Sequence, residues 1–191
     1  VLFSDPQIAQ YINEHFEAAW QSVRPVPTVS IDFGNGKVVT KTFRGNIATY
    51  VCTADGIVFD ILPGVYDRRA YLDRLKLLHD KLQTLVSDNT LDQKLNAYHR
   101  NLSKGHRKIN LTDALDVALN RSAEIGPEVG KDLLADSSTN ESARRILVHR
   151  KLMDAGLVSP NELTAWLYKD VLHADLSDPY LGTKELLFAK E

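Results

Sequence analysis

At 191 residues, with 43% hydrophobic and 25% charged residues, the chain has the composition of an ordinary globular protein, with length for one packed domain or one domain plus a substantial extension. A formal net charge of −2 supplies no global basic field, so broad electrostatic attraction to nucleic acid or an anionic membrane is not indicated. The single cysteine excludes an internal disulfide and a CxxC motif within these residues, and no apolar run approaches the ~20 residues that a bilayer span needs.

The chain opens on SDPQIAQYINEHF, where Ile8, Ile12, Phe16, Ala19, Trp20 and Val23 fit one helical stripe. Between Pro27 and Leu62 the sequence is rich in Val, Ile, Thr, Phe and Tyr. It is punctuated by GNG at Gly34 to Gly36, RGN at Arg44 to Asn46 and ADG at Ala54 to Gly56. Asn-Gly and Asp-Gly supply the positive backbone angles of tight hairpins, which predicts strands over Thr28 to Phe33, Lys37 to Phe43, Ile47 to Thr53 and Ile57 to Leu62. Pro63-Gly64 ends the last of them. Asp67 then caps a helix whose apolar positions, Tyr71, Leu75, Leu78, Leu82 and Leu85, recur at spacings of four and three.

Beyond Ser87 the strand pattern disappears. Leu91, Leu95 and Leu102 predict one helix, Leu111 to Ala123 a second, and Ile146 to Leu152 part of a third that stops at Gly156. The stretch IGPEVGKDLLADSSTNES between the last two reads as a mobile connection, because it carries Gly, Pro and a Ser/Thr/Asn cluster. Ser159-Pro160-Asn161-Glu162 holds a capping Ser, a proline at the first helical position and a Glu three residues after the cap, predicting a helix from Pro160 to Leu172. The final segment, LSDPYLGTKELLFAKE, places Tyr180, Leu181, Leu186, Leu187 and Phe188 among turn residues. It reads as a strap packed over the helices, with a partner-docking peptide as the competing reading.

Ser4, Asp5, Ile8, Ile12, Asn13, Glu14 and Phe16, followed by Thr49, Asp55, Gly56 and Gly64 and then an amphipathic helix, resemble the parts of a thioredoxin-like domain that flank its redox helix. The resemblance covers residues 1–85. It implies an α+β fold, a mixed or antiparallel thioredoxin-like sheet with flanking helices over residues 1–86, followed by an all-helical extension over 87–191. It also implies that residues 16–22 form a strand, the reading preferred here. In that superfamily the CxxC pair lies just N-terminal to the segment that Val1 begins, so the redox site either precedes Val1 or is lost. Ala48 stands where the family places a cis-proline before threonine, and Arg24 to Phe43 form a hairpin where the family has a helix. A binding or scaffolding module with a protein partner is therefore expected, with no nucleic acid and no membrane span. The alternative is a thiol-disulfide oxidoreductase whose CxxC lies upstream of Val1, with Cys52 as a resolving thiol.

Candidate chemistry is sparse. Cys52 is the single candidate catalytic residue, and nothing beside it in sequence would lower its pKa below the ordinary ~8.5 of a thiol, so a buried structural role is the favoured reading. The six histidines, at 15, 79, 99, 106, 149 and 173, form no HxxxH or HExxH pair. The nearest ligand-like set, His173, Asp175 and Asp178, lies in a loop that reads as bonding its own backbone. No metal or cofactor is expected. Basic residues cluster at His99, Arg100, Lys104, His106, Arg107 and Lys108, and at Arg144, Arg145, Arg150 and Lys151. Both clusters read as solvated helix faces.

Overall fold

The computed structural model describes residues 2–25, 28–42, 47–85, 90–104 and 129–181, with backbone alone at 29, 41, 42, 129–140 and 142. The fold is mixed α+β. Helix α1 (Pro6–His15) begins where the Asp5 carboxylate accepts hydrogen bonds from the Gln7 and Ile8 amides, with proline at the first helical position. Strands β1 (Thr28–Asp32) and β2 (Val38–Thr42) form one antiparallel pair, and β3 (Ala48–Cys52) and β4 (Val58–Pro63) another. Helix α2 (Arg68–Leu85) follows, its first turn capped by Asp67, which accepts from the Arg69 and Ala70 amides. Helices α3 (Leu91–Ser103), α4 (Val129–Ala155) and α5 (Pro160–Trp166) follow among the described residues, and α5 runs into a π-turn at Leu167–Val171.

Strand β4 is the centre of the molecule, and all six of its residues are buried. Phe59 and Leu62 pack with Ile8, Tyr71, Leu75, Leu78 and Leu95, beneath α1, α2 and α3. Val58 and Ile61 pack with Val148, Leu152, Leu163, Leu167 and Val171, against α4 and α5. Each such side chain contributes roughly 1.5–3 kcal/mol by leaving water, so a strand covered on both faces anchors both cores. The Val58 amide donates to the Val158 carbonyl at 2.8 Å, which ties the loop after α4 to the same strand.

The four strands lie within a residue or two of the expected bounds, as do α2 and α3. Four expectations need correction or completion. The strands do not join in one sheet. Among the described residues they form two separate two-stranded sheets, and Thr28, Ser30, Ile31, Asp32, Val38, Val39 and Thr40 of the first are exposed. Residues 16–22 form neither the strand nor the helical continuation. Helix α1 ends when Phe16 turns extended, and the following residues find no ladder partner among the described residues. The expected mobile connection is largely helix, since α4 begins at Val129. Packed turns around 143–155 favour propagation backwards through Leu134 and Ala135, one hydrogen bond per residue added. Helix α4 does stop at Gly156, whose φ of +70° takes the left-handed conformation of a helix end. The helix expected over Leu111 to Ala123, the boundary after residue 86 and the strap beyond Leu181 lie outside the described residues.

The expected helix from Pro160 to Leu172 is present with one modification. Its start holds the predicted box, with the Glu162 carboxylate accepting from the Ser159 amide at 2.8 Å and the Ser159 hydroxyl at 2.7 Å. Its end widens, as the Leu172 amide reaches back five residues to the Leu167 carbonyl.

Candidate functional site

The β3–β4 ladder contains a bulge. Val51 faces Asp60 and Cys52 faces Val58, leaving Phe59 as an extra residue on β4. A bulge breaks the alternation of side chains and re-aims one of them. The consequence is visible at Tyr98 of α3. Its ring stacks on Phe59 with centroids 5.0 Å apart, while its hydroxyl donates to Oδ2 of Asp60 at 3.0 Å. Two consecutive strand residues thus reach one side chain.

Asp60 sits at the middle of a closed polar cluster. Its Oδ1 accepts from the Ile61 amide at 2.7 Å, and its Oδ2 accepts from Tyr98 and from Nη2 of Arg145 at 2.8 Å. Nη1 of Arg145 donates to the Ile61 carbonyl at 3.2 Å, and Nη2 also meets Nε2 of His149 at 3.2 Å. Nδ1 of His149 lies 3.1 Å from Nδ1 of His99. Asp60, His99, Arg145 and His149 are all buried.

Burial alone would push the Asp60 carboxyl up. The neighbouring Arg145 charge, together with the hydrogen bonds from Arg145 and Ile61, holds its pKa below the ordinary range. Burial likewise opposes the Arg145 charge, and Asp60 more than restores it. The two imidazoles are driven the other way. Burial first, and then the Arg145 charge, lower His99 and His149 to about 4 despite the attraction of Asp60. Burial and the Asp60 carboxylate raise the Tyr98 phenol.

One polar atom beside this cluster is left over. The Tyr66 hydroxyl is buried with no hydrogen-bond partner among the described residues, and burial raises its pKa. Gly64 marks the exit from β4 with φ +94°, and a Cβ there would stand 2.9 Å from Nη1 of Arg144. The backbone angle strains any side chain at this position, whereas the arginine tip could shift to make room.

The chemistry-bearing residues singled out in the sequence are scattered. Cys52 lies half-buried beside the Val58 and Ile61 core with Tyr50, and burial pushes its thiol up. The Asp175 carboxylate accepts from the Ser177 amide and hydroxyl and pairs with Lys169 at 3.2 Å, which holds it at about 2. Asp178 accepts from the Tyr180 amide, so this loop bonds its own backbone. The two basic clusters do not form solvated faces throughout. His99 and Arg145 turn inward, whereas Arg100 and Arg150 are exposed and Lys151 stands over the Trp166 ring. His106, Arg107 and Lys108 lie outside the described residues. A second imidazole pair, His15 with His79, has ring centroids 4.8 Å apart beside Tyr11 and Phe16. No three His, Cys, Asp or Glu among the described residues are grouped to hold a metal ion.

The buried cluster contains acids, bases and a cation, yet it offers no open side to a substrate. It acts as a keystone joining β4, α3 and α4. Several large apolar side chains are exposed elsewhere. Trp20 is 89% exposed, and on the β1–β2 hairpin Ile31, Phe33 and Val39 are 47%, 60% and 39% exposed. Ile31 pairs with Val39, and strand alternation puts Phe33 on their face, while Ser30 and Thr40 join hydroxyls on the other.

No family model, no curated protein and no solved structure matches this chain. No helix among the described residues is long and apolar enough to cross a membrane.

Proposed function

We propose that the chain is a protein-binding module built on a thioredoxin-like scaffold with a helical C-terminal extension. The scaffold reading draws support from the order of elements: a helix capped by Asp5, then the antiparallel β3–β4 hairpin, then α2 covering one face of it. The extension is α3, α4 and α5, whose buried residues cover much of the rest of β4.

The observation that carries the binding role is the apolar face of the β1–β2 hairpin. A two-stranded hairpin is marginal in water without a covered face. Here Ile31, Phe33 and Val39 belong to neither core, and Val38 and Trp20 add further exposed apolar surface. Such a surface fits a partner protein that presents its own apolar patch or strand edge. The redox alternative, with its CxxC upstream of Val1, gains nothing from Cys52, whose half-burial and raised pKa both oppose a reactive thiolate.

The test is capture with the whole chain as bait, purification of the captured protein, and titration calorimetry against wild type and the Ile31→Ser/Phe33→Ser variant. The variant is expected to weaken binding at least ~10-fold while leaving the urea midpoint unchanged, as both residues lie outside the cores. Equal affinity, or no reproducible partner, overturns the proposal.

A further inference from the structure

We infer that the buried His99–His149 pair is an acid-released latch between α3 and α4. The argument begins with hydrogen positions. A guanidinium has donors and no acceptor, so Nη2 of Arg145, at 3.2 Å, requires Nε2 of His149 to be unprotonated. The proton of a neutral His149 is then on Nδ1, where it donates to Nδ1 of His99 at 3.1 Å. That leaves the His99 proton on Nε2. Both rings are neutral, and both tautomers follow from Arg145.

This chain of bonds has no place for another proton. Protonating His149 at Nε2 sets an N–H against the N–H of Arg145. Protonating His99 at Nδ1 sets one against the N–H of His149. Either event breaks a link and adds a cation to a buried cluster. The surrounding charges offer no relief. Asp60 of β4 is already shared among Arg145, Tyr98 and the Ile61 amide. Arg74 of α2 is paired with Glu141 of α4 at 3.0 Å, and Arg100 and Arg150 are on the exposed sides of α3 and α4. Tyr98 and Tyr66 contribute neutral phenols.

The pH window follows from linkage. Each imidazole has a folded pKa of about 4, below its ordinary 6.5, so its contribution is present above pH 6.5 and is lost as pH falls from 6.5 toward 4. Asp60 is depressed below the ordinary 3.8 of a carboxyl, so its own loss belongs to lower pH. Opening separates Leu95 of α3 from the core and also breaks the bond from the Asn96 side-chain Nδ2 to the Met153 carbonyl. The device stands independently of the hairpin's binding role.

The test uses the full chain and hydrogen exchange of the α3 amides between pH 7 and pH 5, corrected for intrinsic exchange. From pH 7 to pH 5 the wild-type open fraction is expected to rise about 20-fold for each imidazole that titrates on opening. His99→Asn, which keeps an acceptor for the His149 proton but cannot be protonated, is expected to remove one such factor. A wild-type response that is flat, or one that His99→Asn leaves unchanged, overturns the latch. Should His99→Asn fail to fold, nitrogen-proton correlation spectra of wild-type imidazoles decide. The latch requires His149 protonated at Nδ1 and His99 at Nε2, both resisting titration down to about pH 4, and a titration of either ring near 6.5 in the folded chain refutes it.

Discussion

Arg145 donates to Asp60 across 2.8 Å at a point where the carboxylate has no exposure to solvent. The two residues are 85 positions apart, on α4 and β4. Truncating either one strands the other's charge inside the core, which in comparable buried pairs costs about 3–5 kcal/mol. Asp60→Ala and Arg145→Ala are each expected to destabilise by that amount in urea unfolding at pH 7. The double change Asp60→Leu/Arg145→Met is expected to cost far less than the sum of the two truncations, because it removes both charges and restores apolar volume. Strict additivity would show that the pair is not coupled.

The same chemical change should have opposite signs at two tyrosines. Tyr98→Phe removes a donor to a buried carboxylate and is expected to destabilise by about 1.5–3 kcal/mol. Tyr66→Phe removes a hydroxyl that has no partner among the described residues, so it is expected to leave the urea midpoint unchanged or to raise it by about 1 kcal/mol of stability. A clear destabilisation by Tyr66→Phe would mean that its hydroxyl is satisfied in solution, for instance by a bound water.

Alkaline titration should report the buried phenols directly. Burial raises Tyr66 and Tyr98 above the ordinary 10.0. A group whose folded pKa is raised stabilises fully below its unfolded pKa and ceases to do so as pH climbs toward the folded value. Stability is therefore expected to fall progressively above pH 10. In absorbance at 295 nm, some of the seven tyrosines should ionise only together with loss of helical circular dichroism. Seven phenols titrating near pH 10 with the helices intact would contradict the burial of Tyr66 and Tyr98.

What was legible in the sequence was what is encoded locally. Asn35-Gly36 and Asp55-Gly56 marked the hairpin turns, the spacing of Tyr71, Leu75 and Leu78 marked the buried side of α2, and Ser159 with Glu162 marked the start of α5. The polar cluster was not legible because its members meet across long separations. Tyr98 lies 38 residues from Asp60, and His99 lies 50 from His149. Asp60 itself carried a signal that went unread: a single carboxylate inside the apolar run Val58 to Leu62 must find a counter-charge or leave the core. Arg145 carried another, since it shares a helical stripe with Val148, His149 and Leu152 and is buried with them. Reading it with Arg144 and Arg150 as one basic patch placed it on the wrong side of α4. At residues 16–22 the family resemblance suggested a strand, but strand formation depends on a neighbouring edge, which no local pattern supplies.

The two-sided burial of β4 also sets a problem during synthesis. Asp60 leaves the ribosome 85 residues ahead of Arg145, which at 5–20 residues per second is a wait of roughly 4–17 s. For that interval the nascent segment VFDIL has every feature of a sticky β-forming peptide except one. Asp60, still hydrated and charged, interrupts it as a gatekeeper against self-association. The residue that must later be neutralised by Arg145 to complete the core is thus the one that keeps the unfinished chain apart from its neighbours.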